Sequence, residues 1–220
     1  LPVPRRLTVS RRHVLSGLAG LSTLALLPAK PATAQDGATE TGDAIVYNEY
    51  TLGDPDAPVR ILEFSSFTCG HCGLFHIETL PILKEQYIDT GKANLTLVDF
   101  PLDDVALLVT LITRCAPEPL YHKLVEIYFG DQDAWLKRDP LKPVLGIARL
   151  GGLSQERLDA CLTNDTLFEE IRRRRAEAEA RFNITGTPTF AINGVRHEGS
   201  YKADSLLPAV AEALARAEGN

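Results

Sequence analysis

The sequence predicts an α/β protein in which two separated stretches of chain build one sheet and a block of helices lies between them. Three observations carry this. Residues 59–99 read as strand, helix, strand; residues from about 102 to 181 keep a helical period; and residues 189–199 return to strand pattern around Asn193-Gly194. The 220 residues are 45% hydrophobic and 24% charged, with a formal net charge of −6. This is an ordinary globular composition that argues against disorder and against a polytopic membrane protein. The acidic balance supplies no electrostatic footprint for phosphates, so no nucleic-acid partner is expected.

The amino terminus stands apart from the fold. Arg5, Arg6, Arg11 and Arg12 precede an apolar run from Val14 to Pro28, and Ala32-Thr33-Ala34 offers small residues for cleavage. Residues 1–34 therefore read as a cleaved export signal, and the run is shorter than a bilayer span. Ser10-Arg11-Arg12-His13-Val14-Leu15 also fits a twin-arginine signal, with a general secretory signal as the alternative. The expected location is the periplasm or beyond. Residues 35–49 read as a flexible lead-in.

Leu52 to Pro58 is dense in turn residues and delivers the chain into a largely buried strand, Val59 to Phe64. A helix from about Cys69 to Tyr87 and a strand from Asn94 to Asp99 complete a βαβ unit, which implies parallel pairing. Four helices are then marked by their apolar faces: Leu107, Leu111 and Cys115; Leu120, Leu124 and Ile127; Leu141, Val144, Leu145 and Ala148; Leu158, Cys161 and Leu162. A fifth, from about Asp165, carries Arg172 to Arg175 among glutamates at i,i+4 spacing, the pattern of a solvated, self-paired face. Asn193-Gly194, between Thr189–Ile192 and Val195–Gly199, signals a hairpin. An Ala/Leu-rich helix from about Asp204 to Ala217 follows. Residues 50–102 and 182–220 thus make the sheet domain, and residues 103–181 the helical insertion.

The chemistry lies in the cysteines. Cys69-Gly70-His71-Cys72 opens a helix directly after a strand, the setting of a dithiol/disulfide motif. A thiol at a helix N-terminus faces unpaired backbone N–H groups and the positive end of the macrodipole, so its thiolate is stabilised. Cys69 is thus the expected nucleophile and Cys72, a turn further in, the buried resolving thiol. The His71 ring is placed to donate toward the Cys69 sulfur. A stabilised thiolate favours the reduced form and makes the disulfide a stronger oxidant. The alternative is a metal-binding carrier using Cys69, Cys72 and His76, at Cys-x-x-Cys-x-x-x-His spacing. His122, His197 and Trp135 read as surface or packing residues. No cofactor is implied.

Phe64-Ser-Ser-Phe-Thr-Cys69-Gly-His-Cys72 after a strand, and Gly186-Thr187-Pro188-Thr189-Phe190 before a hairpin, resemble the DsbA-like disulfide oxidoreductases of the thioredoxin superfamily. The resemblance runs from about Leu52 to the last helix. It implies a thioredoxin fold with an inserted helical subdomain, acting as a monomer. It also implies a cis Thr187-Pro188 bond beside the cysteines, with Pro188 holding the Thr187 backbone free for an extended substrate. Glu63 matches the acidic residue the family places beneath the pair, where it accepts a proton from Cys72. Reduced, unfolded proteins are the implied substrates, with a membrane redox partner for reoxidation. Two residues depart from the family's strongest oxidants, Gly70 in place of Pro and Thr187 in place of an aliphatic side chain, and both are closer to isomerases. The expected potential is therefore intermediate between about −120 mV for DsbA and about −270 mV for thioredoxin, with isomerase or reductase as the competing function. With Cys69 paired to Cys72, Cys115 and Cys161 are left for each other, and a similar second disulfide occurs in some alphaproteobacterial members. Two buried free thiols are the alternative.

Overall fold

Residues 45–219 are described by a computed structural model, so the export signal expected over residues 1–34 and the lead-in from 35 to 44 lie outside the described residues. The centre of the sheet is β2 (Val59–Ser65), whose Val59, Ile61 and Phe64 are buried. It pairs in parallel with β3 (Ala93–Asp99) on one side and antiparallel with β4 (Thr189–Ile192) on the other. Two short strands complete the sheet in the order β1-β3-β2-β4-β5: β1 (Thr51–Leu52), antiparallel to β3, and β5 (Val195–Arg196), antiparallel to β4. The turn between β4 and β5 places Asn193 at φ 49° and Gly194 at φ 81°. This left-handed pair is what a two-residue hairpin of the right twist requires.

Between β2 and β3 the chain is helical from 70 to 88 but not uniformly so. It runs through α1 (Gly70–Leu74), a π-helical turn at Phe75–Thr79, α2 (Leu80–Leu83) and a second π-helical turn at Lys84–Ile88. Pro81 has no N–H to offer the preceding turn, so the regular ladder restarts around it. Then follow α3 (Asp104–Arg114), α4 (Glu118–Gly130), α5 (Gln132–Trp135), α6 (Leu141–Gly151), α7 (Gln155–Leu162) and α8 (Asp165–Phe182), all before β4; α9 (Ala203–Glu218) follows β5. Asp103, Ser154 and Asn164 cap α3, α7 and α8 by accepting from the N–H three residues on. None of the described helices is long and apolar enough to cross a membrane.

Two packed regions meet at the cysteines. Phe75, Leu83, Phe190, Leu206 and Val210 bind the 70–88 segment and α9 to the sheet. Phe67, Ile112, Leu124, Phe129, Trp135 and Leu158 form the core of the helical block, and Cys72 is buried in that second region with Cys69 at its edge. Cys115, at the end of α3, is disulfide-bonded to Cys161 of α7 with the Cα atoms 6.0 Å apart, so these two are not free thiols.

A buried ion pair that the sequence does not announce ties the lead-in to the sheet. Arg114 Nε donates to Asp99 Oδ2 at 2.6 Å, and its other nitrogens reach Asn48 O at 2.8 Å and Leu97 O at 2.9 Å. Its guanidinium lies over the rings of both Tyr47 and Tyr121, and the Tyr47 hydroxyl also donates to Asp99. Residues 45–49 therefore carry specific contacts although they form no regular element. On α8 the expected i,i+4 pairs Glu170–Arg174 and Arg173–Glu177 form. Arg173 and Arg174 share Glu170 at 2.7 and 2.6 Å, while Arg175 lies over the Phe100 ring instead of reaching Glu179.

Candidate active site

Cys69 is the N-cap residue of α1, with extended backbone (φ −83°, ψ 117°), and its carbonyl accepts from the N–H of Cys72 and of Gly73. The preceding turn is held from outside by the insertion: Gln132 Nε2, on α5, donates to Phe67 O at 2.6 Å and to Cys69 O at 3.0 Å. Both thiols are free, Cys69 partly exposed and Cys72 buried.

The two sulfurs are electrostatically unlike. The Cys72 thiol donates to the Cys69 sulfur and is the largest cause lowering the Cys69 pKa to about 5. Partial burial opposes this, and the backbone N–H groups of Cys72 and His71 add to the lowering. The Cys72 thiol is pushed far above the ordinary thiol range, first by burial, then by its bond to Cys69 and by the negative charge of Glu63.

The loop before β4 closes the site. The Thr187-Pro188 peptide bond is cis, and the Cys69 thiol donates to the Thr187 carbonyl at 3.2 Å. Glu63, on β2, is fully buried, and both its oxygens lie 3.1 Å from His76 Nε2, within hydrogen-bond reach. The His76 ring stacks on Phe129 of α4 at 4.1 Å between centroids, and Phe67 stacks on the same ring at 4.6 Å.

Cys69, Cys72, Thr187, Pro188 and Glu63 are thus gathered in one place. The His71 ring is not turned into that group: it is exposed and stacks on Tyr201 at 5.4 Å, and what His71 contributes at Cys69 is its backbone N–H. Of the residues named for the metal-carrier alternative, His76 has its Nε2 turned to Glu63. Among the described residues no three His, Cys, Asp or Glu side chains converge as ligands. Sequence reading missed Gln132, Phe129 and the Glu63–His76 pair. For that pair a signal existed: His76 follows Cys72 by four residues and so shares its helix face, the one turned toward β2.

The sequence matches the family described as thioredoxin over residues 46–212. The chain belongs to the thioredoxin family. Its fold is the thioredoxin fold as the DsbA proteins build it: Wolbachia pipientis alpha-DsbA1 superposes with a TM-score of 0.72 at 30% identity, covering 78% of this chain and 94% of that one. A structure named protein-disulfide isomerase from Novosphingobium aromaticivorans gives a TM-score of 0.68 at 27% identity, covering 76% of this chain and 98% of that one. A Rickettsia conorii protein named for protein-disulfide oxidoreductase activity is 31% identical over 169 residues, 76% of this chain and 61% of its own. This thioredoxin-family chain spans 60% to 65% of the length of the Rickettsia relatives it matches first.

Proposed function

We propose that this protein is an exported thiol-disulfide oxidoreductase that introduces disulfides into reduced, unfolded proteins by exchange at Cys69 and Cys72. The observation that carries this reading is the asymmetry of the pair, a Cys69 thiol lowered to about 5 beside a buried Cys72 thiol raised out of the ordinary range. A stable Cys69 thiolate favours the reduced protein and makes the disulfide a good acceptor of electrons. A substrate thiolate attacks Cys69, Cys72 leaves and takes a proton, and a second substrate thiol resolves the mixed disulfide. The substrate backbone lies along the Thr187 edge that the cis Pro188 turns toward the sulfur. Glu63 acts as the proton donor and acceptor for Cys72, and a membrane redox partner reoxidises the pair.

Replacing Cys69 with Ser is expected to abolish oxidation of a dithiol peptide, and retained turnover would refute the mechanism. A second reading, isomerase or reductase, is favoured by Gly70 and Thr187 and by the likeness to the Novosphingobium protein. Equilibration of the pair in glutathione buffers separates the two. A potential clearly above about −200 mV supports a disulfide donor, and one near −270 mV supports a reductase. Amino-terminal sequencing of the protein from the periplasmic fraction tests export and cleavage near Ala34.

A further inference from the structure

Of the Glu63–His76 pair, the carboxylate is fully buried and the His76 side chain is 7% exposed, so the ring is the member that meets solvent. Both residues line a groove of about 760 Å³ between the 70–88 helical segment and α4, with an apolar floor that includes Leu80, Leu97 and Val125 and a rim of exposed charged side chains. Cys69 and Cys72 are not among the residues that line it, so the groove meets the pair at the His76 ring, apart from the cysteines.

We propose that His76 is a second proton carrier behind the disulfide, passing protons between Glu63 and water in this groove while substrate covers Cys69. The inference rests on thiol-disulfide exchange at Cys69 and Cys72. When a thiolate attacks Cys69, a sulfur–sulfur bond to Cys69 forms and the Cys69–Cys72 bond breaks, and its electron pair goes to Cys72. The Cys72 sulfur is buried, so it leaves well only as a thiol. Glu63 gives it that proton, the imidazolium of His76 restores the proton to Glu63, and water in the groove recharges His76. In reoxidation the same proton travels outward. The geometry suits this: Nε2 already bonds both Glu63 oxygens, and an imidazole keeps a second nitrogen for water. Phe129, stacked on the ring, holds it against swinging away from Glu63.

Other titratable groups face the same groove. The 70–88 segment and the turn after it supply Lys84, Glu85 and Asp89, and α4 supplies Tyr121, His122, Lys123 and Glu126, with Tyr50 beside β1. Of these His122 is the one that could imitate an imidazole titration. It lies 3.9 Å from Glu118, and burial lowers its pKa.

The test is the single-turnover reduction of the oxidised protein by dithiothreitol between about pH 5 and 8, with rates corrected for the reductant's thiolate fraction. In the parent the corrected rate is expected to rise as pH falls, because the relay draws the proton for Cys72 from solvent. His76→Gln keeps a donor for Glu63 but cannot carry a proton, so its corrected rate is expected to be flat with pH and slower on the acid side, on the order of a hundredfold. His122→Asn is expected to keep the parent slope. A parent-like slope in H76Q, whether at full rate or slowed equally at every pH, overturns the relay, as does loss of the slope in H122N. His76→Ala opens the site to the groove, and added imidazole is expected to restore its rate; a folded H76A that imidazole does not rescue also overturns the proposal. The reaction needs only the Cys69–Cys72 disulfide, so absence of dithiol-peptide oxidation would count against the proposed function and leave this result readable.

Discussion

Two thiols three residues apart are driven in opposite directions by where α1 begins. Cys69 sits before the first turn and receives N–H groups and the Cys72 hydrogen, whereas Cys72 is drawn into the packed region with Glu63 behind it. This has a consequence for stability. The Cys69 pKa of about 5 in the folded, reduced protein lies below the ordinary thiol value of about 8.5, so folding of that form gains from ionisation. The gain is complete above the unfolded value and is lost as pH falls toward 5; Cys72, shifted upward, acts only above about pH 8.5. Urea unfolding of the two redox forms is therefore expected to show the reduced protein losing stability relative to the oxidised one from about pH 8 to 5, and a constant gap would contradict it. Thr187 offers a sharper test. Its Oγ1 is buried without a hydrogen-bond partner, and what meets Cys69 is the Thr187 carbonyl. Thr187→Val puts the aliphatic residue of the family's strong oxidants at this position and is expected to make the pair more oxidising; an unchanged potential in T187V would contradict it.

The helical segment that carries the cysteines is held by an element too short to read. A four-residue helix such as α5 has no period to detect, and a two-residue strand such as β1 has no alternation, so neither is legible in the sequence. The longer helices were visible because each buries one apolar stripe. Yet α5 supplies Gln132, and its contact depends on Gly73: a Cβ there would stand 2.5 Å from Gln132 Oε1 and 3.3 Å from Phe129 O. Gly73→Ala is expected to expel the Gln132 amide from its two carbonyl partners and to destabilise the protein by about 1–3 kcal/mol. An unchanged denaturation midpoint in G73A would show that the clasp contributes little. The same limit explains His76. Its spacing from Cys72 placed it on the right face, but only the pairing of β2 with β3 and β4 set the Glu63 carboxylate beneath that face.

The insertion and the sheet are one chain packed through the cysteines, and the second disulfide braces the insertion far from them in sequence. It joins residues 46 apart. Replacing both Cys115 and Cys161 with Ala is expected to cost about 4 kcal/mol in the chain-entropy model while leaving dithiol oxidation at Cys69 and Cys72 in place. A loss of oxidation in the folded variant would mean that this bond shapes the site. The order of the longer strands and helices, the hairpin at Asn193-Gly194 and the Cys69–Cys72 motif at a helix start could all be read from the chain, because each depends on periodicity or backbone preference over a few neighbouring residues. The Arg114–Asp99 pair, the Gln132 clasp, the stacking of His71 on Tyr201 and the engagement of His76 by Glu63 could not. These join residues between 13 and 130 positions apart, and which polar groups meet in a core is decided by how whole elements pack, where a buried charge must find its partner wherever the fold has placed one.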